Sequence, residues 1–271
     1  YRLHYKEMGD GEPVFLLLHG LGPGLFTWQA LMPSLSEYGR VIAIDRPAAG
    51  LSERPLGDAL KQYNPYTVDA QVQLFLALLD QLGLQQVFLV GNSAGGTLAV
   101  HTYLQAPGRS QGLVLVDAAI FSGGGAPSFV KPLLGTQQLR RIGPFFARSL
   151  FENPENFLKS AYFDHEKITE ETIAGYRRIS MIEDWDLAFW ELSIAGENLR
   201  LSDRLDEINL PVLVVSGEYD SIVPPQDSQR LAEEIPGAEF LMLPNCGHLP
   251  QEECPDVLLD GIVDFASELQ E

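Results

Sequence analysis

Short, unbroken apolar runs alternate with longer stretches of helical periodicity along most of this chain. "PVFLLL" is followed by "FTWQALMPSL", "RVIAID" by "VDAQVQLFLALLDQL", and "QVFLV" by "GTLAVHTYLQ". "GLVLVDA" comes next, and "PVLVVSG" with "DSQRLAEEI" and "EFLMLP" with "VLLDGIVDFASEL" close the pattern. A strand that is apolar at every position has no face to give to water, so it must be covered on both sides. The alternation therefore predicts an α/β fold, a mostly parallel sheet flanked by helices. The opening "YRLHYKE" alternates polar and apolar residues instead and predicts an antiparallel edge strand. From about Gly123 to Arg200 the rhythm stops: "SGGGAP" opens an interval of helical pattern rich in aromatics. This divides the chain into residues 1–122, the first part of a core, 123–202, an inserted helical cap, and 203–271, the second part. A cap so placed stands over the C-terminal edge of the strands, where ligands bind in open α/β sheets. On this reading it touches the substrate and not the catalytic groups.

With 45% of its 271 residues hydrophobic, the chain has enough apolar material for a large core. None of it forms a run long enough to cross a membrane. A formal net charge of −19 repels nucleic acid and anionic membranes, which leaves a small molecule as the expected partner of a monomer or homodimer. A cytoplasmic location is expected, although the chain opens at Tyr1 rather than Met, which is compatible with a leader removed from its front. Cys246 and Cys254 make neither a disulfide framework nor a zinc spacing; free thiols are expected, with one local bridge as the alternative.

The chemistry concentrates in "VFLVGNSAGGTLAV", where a hydroxyl stands between small residues at a strand-to-helix turn. A serine held in a sharp, strained turn needs neighbours without side chains that collide with it. Ser93 is therefore the candidate nucleophile; the plainer reading is a helix N-cap. Its base must be a histidine, and His248, in the loop "PNCGHLPQEECP" after the last strand, is best placed. His101 and His165 fall in helical patterns and read as surface or cap residues, His4 lies in the edge strand, and His19 suits loop bracing. Asp220, in "SGEYDSIVPP", is the candidate for the carboxylate that orients the base, with Asp117 a rival and Glu218 a weaker one. Backbone N–H groups of Ala94 and of Leu21, then Gly22, in "HGLGPG" are the candidate oxyanion donors. No metal or organic cofactor is implied.

The motifs "LLLHGLGPG", "VIAIDRPAAGLSERP", "LVGNSAGG", "GEYDSIVP" and "GHLPQEECP" occur in the order and spacing of the α/β-hydrolase superfamily, which the chain resembles over essentially its whole length. The resemblance implies nucleophile, acid and histidine at Ser93, Asp220 and His248, and a helical cap after the sixth strand. Relatives usually have glycine at Ala48 or Ala49, which reads as a local change away from the chemistry.

A serine nucleophile separates the chain from the dehalogenases and epoxide hydrolases that use aspartate. "HGLGPG" with "GNSAGG" resembles the meta-cleavage carbon–carbon hydrolases, but those carry Trp after the histidine, where this chain has Leu249. The leading expectation is a carboxylic ester hydrolase for small to medium apolar substrates. A carbon–carbon hydrolase, a cofactor-free haloperoxidase and a non-catalytic ligand receptor are the alternatives. Trp185, Phe189, Trp190, Phe121 and Phe146 are the candidate substrate contacts.

Overall fold

The computed structural model describes residues 1–22, 24–121, 130–151 and 153–269, except for the side chains of 146 and 149–151. Seven strands form one sheet: β1 (Tyr5–Met8), β2 (Val14–Leu18), β3 (Arg40–Ile44), β4 (Val87–Asn92), β5 (Ser110–Val116), β6 (Val212–Gly217) and β7 (Glu239–Leu243). Their order is β1-β3-β2-β4-β5-β6-β7, with β1 antiparallel to β3 and every other pair parallel. The alternating N-terminal segment thus lies at one edge and the apolar segments β2–β6 lie inside. By contrast β7, apolar in sequence, forms the other edge and is largely exposed, because no further strand among the described residues pairs with it.

Side chains of successive residues leave the sheet on opposite faces, and both faces are apolar. Leu16, Leu18, Leu89, Leu113 and Val214 enter one core layer, while Phe15, Leu17, Phe88, Val114 and Val215 enter the other. Each such side chain taken fully out of water contributes about 1.5–3 kcal/mol before the entropy of ordering is subtracted.

Between β5 and β6 the described chain is helical, including Gln137–Phe151, Pro154–Ala161, Glu170–Arg177 and Trp185–Ala195. This segment follows the fifth strand, not the sixth that the family resemblance implied, because a single antiparallel strand precedes the parallel ones. The strand order reverses between β2 and β4. Their C-terminal ends open a crevice there, the point at which open α/β sheets place a ligand.

Ala48, where glycine was expected, holds a φ of 73° and is buried beside Tyr66 and Ala188. Tyr66 in turn lines the central cavity, so this position is closer to the site than the sequence implied.

Candidate active site

Ser93 joins β4 to the helix Ala94–Gln105 with φ 54° and ψ −121°, a backbone region sparsely used by residues other than glycine. It occupies the N-cap position, yet its side chain makes no capping hydrogen bond, so the plain capping role does not account for the hydroxyl. Close packing forces the turn. A Cβ at Gly95 would lie 2.0 Å from the Leu18 carbonyl oxygen, and one at Gly91 would lie 2.5 Å from Gly95. Hydrogen bonds then pin it: the Ser93 N–H donates to Val116 O at 2.9 Å, and the N–H groups of Gly96 and Ala119 donate to Ser93 O at 3.0 and 3.2 Å.

His248 lies in the loop after β7 and is buried. Its Nδ1 meets Asp220 Oδ2 at 2.7 Å. An ionised carboxylate accepts only, so the proton sits on Nδ1 and Nε2 keeps its lone pair. Asp220 Oδ1 accepts from the N–H groups of Ile222 (2.7 Å) and Val223 (3.0 Å), which fixes the carboxylate on its turn. Ser93 and His248 line one cavity of about 710 Å³. A hydroxyl and an acceptor imidazole in one cavity, with a carboxylate behind the ring, can carry out nucleophilic acyl transfer. Glu218 is elsewhere, exposed and bonded to Asn245 N–H. Asp117 lies fully buried behind Asp220.

Leu21, Gly22 and Ala94 also line the cavity. His19 Nδ1 donates to the Gly20 carbonyl at 2.8 Å, and Arg46 Nη1 approaches the same oxygen at 3.4 Å. In a trans peptide the next N–H points away from that oxygen, so this grip sets the direction of the Leu21 N–H. Burial and the adjacent Arg46 charge push the His19 imidazole down to about 4. It therefore stays neutral, with Nε2 accepting the Arg46 N–H at 3.0 Å. Bracing, not proton transfer, occupies His19.

Arg46 was not identified from the sequence. Its Nε donates to Gln71 Oε1 (3.2 Å) and its Nη1 to His19 O (2.8 Å), but among the described residues no carboxylate pairs with the guanidinium. It is more than nine-tenths buried and lines the cavity, and desolvation lowers it to about 10. The signal was a charge directly after the buried run "VIAID".

Of the expected aromatic contacts, Phe189 lines the cavity, as do Phe157 and Tyr176. Trp185 packs with Ala147 and Ile179 inside the helical segment, and Trp190 lies against Gly143. Phe121 stacks under Arg230 at 4.1 Å. None of these three lines that cavity: the two tryptophans of the helix Trp185–Ala195 pack against neighbouring helical elements, and Phe121 lies in the bend after β5. The side chain of Phe146 lies outside the described residues. His101 also departs from expectation: it is buried and meets Asp69 at 2.9 Å, because its face of the helix Ala94–Gln105 packs on the helix Val68–Gln81.

Cys246 and Cys254 form a disulfide, against the expectation of free thiols. Between them the chain bends at His248 and coils through the short helix Pro250–Glu253, which leaves their Cα atoms 6.3 Å apart, within bridging range, and the closed loop contains His248.

The helical segment also touches the histidine loop directly, contrary to expectation. Ala161 O accepts the His248 N–H at 2.6 Å, and Asn92 Nδ2 donates to His248 O at 3.1 Å. Glu253 accepts the N–H groups of Gly247 (2.7 Å), Phe163 (3.2 Å) and Asp164 (2.7 Å). Glu252 accepts from Thr27, Tyr162 (3.0 Å) and Tyr176 (2.7 Å). Burial nevertheless pushes Glu252 up to about 7. A carboxyl raised in the folded state contributes stability that is full below its unfolded pKa of about 4.3 and lost as pH rises through about 7. Glu252→Gln, which cannot titrate, is expected to flatten the fall in Tm between pH 5 and pH 8. Equal slopes for variant and wild type in thermal melts would remove this latch from the account.

Residues 13–255 match the family model described as the alpha/beta hydrolase fold. The 2-hydroxy-6-oxononadienedioate/2-hydroxy-6-oxononatrienedioate hydrolase of Paraburkholderia phymatum is 30% identical, over 97% of this chain and 90% of that protein. A meta-cleavage product hydrolase from Pseudomonas fluorescens superimposes with a TM-score of 0.74 at 26% identity, covering 98% of this chain and 94% of the other. A thermophilic esterase from Thermogutta terrifontis gives 0.74 at 25%, covering 99% and 94%. With its sheet order, its turn at Ser93 and this match, the chain belongs to the α/β-hydrolase fold family.

Proposed function

We propose that the protein hydrolyses a carbon–carbon bond next to a ketone in a conjugated oxo-carboxylic acid, using Ser93, His248 and Asp220. The observation that carries this reading is Arg46, a buried cation without a carboxylate partner among the described residues, on the wall of a largely apolar cavity. An unpaired buried charge is costly, and an anionic substrate group offsets that cost when it binds. The names of the Paraburkholderia relative and its counterparts specify dioates, substrates with such groups. Residues 123–202 act as the cap over core parts 1–122 and 203–271, with Phe157, Tyr176 and Phe189 supplying its wall of the cavity.

In the first step Ser93 Oγ attacks the ketone carbonyl carbon while His248 Nε2 takes the hydroxyl proton. The carbonyl electron pair moves to oxygen, where the N–H groups of Leu21 and Ala94 stabilise it. The tetrahedral carbon then reforms its carbonyl and expels the carbon fragment. That leaving group departs with the bonding pair, which delocalises through its conjugated system onto its oxo oxygen as an enolate, while Arg46 holds the neighbouring carboxylate. His248 returns the proton to carbon. Water activated by His248 then cleaves the acyl-Ser93 ester and regenerates the enzyme.

Ester hydrolysis is the second reading, favoured by Leu249 where meta-cleavage relatives carry Trp and by the esterase neighbour. Both can be tested on the wild-type protein with a vinylogous diketone acid, its methyl ester and p-nitrophenyl esters, where loss of the conjugated chromophore reports carbon–carbon cleavage. A charge-assisted contact of about 1.5–3 kcal/mol predicts at least about a tenfold higher kcat/KM for the free acid than for its methyl ester. Equal values would remove Arg46 as the anchor. Turnover of p-nitrophenyl esters with an unchanged chromophore would transfer the assignment to ester hydrolysis.

A further inference from the structure

Two carboxyl groups share the buried space behind His248, and only one of them is accounted for by the three-residue arrangement. The ligand atoms of Asp117, Asp220 and His248 all lie within 4.8 Å of one another, and all three residues are buried. Asp220 receives three donors, one from His248 and two from backbone amides, and is thereby suited to be the anion. Asp117 comes from the end of β5. Its Oδ1 accepts from Ser216 Oγ (3.2 Å) and Gly217 N–H (3.0 Å), while its buried Oδ2 has no hydrogen-bond donor among the described residues.

We propose that Asp117 is held as a neutral carboxylic acid whose Oδ2–H donates to Asp220, making Asp117 a positioning residue for the Asp220–His248 pair. This rests on the assignment of His248 as the base, and not on whether the substrate is an ester or a ketone. Two buried like charges at this separation cannot both be favourable, so one carboxyl keeps its proton. The orphaned oxygen identifies which one. As an anion Asp117 would bury an unsatisfied lone pair against a second carboxylate; as an acid the same atom becomes a satisfied donor. Desolvation first, then the Asp220 charge, raise the Asp117 carboxyl well above the ordinary carboxylate range, in agreement with that choice. Among the described residues, Ser216 and the Gly217 N–H on β6, Asp220 after β6 and His248 after β7 face it. With its Nδ1 proton directed at Asp220, His248 has no lone pair there for an ion.

The consequence is a hydrogen bond that disperses the Asp220 charge and so lowers the affinity of His248 for a second proton. Loss of the donor should raise the pH at which His248 becomes charged; loss of an Asp117 anion would lower it. The sign separates the two states of Asp117.

A substrate-independent readout is the rate at which a fluorophosphonate labels Ser93, followed from pH 5 to pH 9. For Asp117→Ala the acid limb should move up by about half to one pH unit, so that the labelling rate on that limb falls by about three- to tenfold. Asp117→Asn keeps a donor in the same place and should restore both rate and limb. Asn also tolerates the left-handed φ of 46° found at this position. Asp117→Leu serves as a second donorless variant if Asp117→Ala does not fold. A limb that moves down in Asp117→Asn or in either donorless variant would overturn the proposal by showing that Asp117 is an anion. An unmoved limb in folded donorless variants would also overturn it, by reducing Asp117 to packing. Wild-type protein labelled normally with either of these results leaves the base assignment standing, whereas no labelling of wild-type Ser93 overturns both.

Discussion

Purified Ser93→Ala should fold and bind as the wild type does and turn over at least about a thousandfold more slowly. The reasoning starts from the backbone. At φ 54° and ψ −121° alanine is as strained as serine, because both carry a Cβ. The main-chain bonds that pin the turn, from Ser93 N–H to Val116 and from Gly96 and Ala119 to Ser93 O, do not involve the hydroxyl. No capping bond is lost either, since the side chain makes none. The change therefore leaves the stability within about 1 kcal/mol of the wild type and removes only the attacking oxygen. Measuring kcat beside a thermal melt separates the two effects. Near wild-type turnover in a folded Ser93→Ala would end the covalent mechanism, whichever substrate class is right.

The parts legible in the sequence are those written in local periodicity and local sterics. Five strands, β2 to β6, could be read because buried parallel strands are continuously apolar, β7 because its run is apolar although it lies at an edge, and β1 because its segment mixes polar with apolar residues. Ser93 could be read because its turn needs small residues on both sides. The Asp220–His248 contact follows from two loops at the same sheet edge, once the strands are placed. What remained hidden depends on chain segments far apart in sequence. The bonds from Tyr162 and Tyr176 to Glu252 span 90 and 76 residues, and no pattern in either segment announces them. Trp185 and Phe189 lie on one helix and carry similar apolar character, yet only Phe189 reaches the cavity. Composition cannot separate them: four residues apart they share one helix face, and what differs is position along the axis, because the cavity lies toward the C-terminal end of the helix, where Leu192 and Ser193 also line it. The disulfide stood only as the alternative for the same kind of reason: the spacing of Cys246 and Cys254 permits a bridge, but the bend at His248 and the helix Pro250–Glu253 decide whether they meet.

Asp220→Asn should cost about ten-thousandfold in kcat, the scale reached when an orienting carboxylate beside a catalytic histidine becomes an amide. The asparagine oxygen can still accept from the N–H groups of Ile222 and Val223, so the turn that carries it should persist. Its amide nitrogen then faces His248 Nδ1, where the carboxylate oxygen lies at 2.7 Å in the wild type. A donor at that place requires Nδ1 to accept. The ring proton moves to Nε2, the atom that must receive the proton of Ser93, and the base is present in the wrong tautomer. Asp117→Asn should be far milder, because it replaces a neutral donor by another neutral donor. Comparing kcat for the two folded variants under identical conditions gives the ranking directly. A large loss in Asp117→Asn with little loss in Asp220→Asn would move the orienting acid to the end of β5 and leave Asp220 as a turn residue.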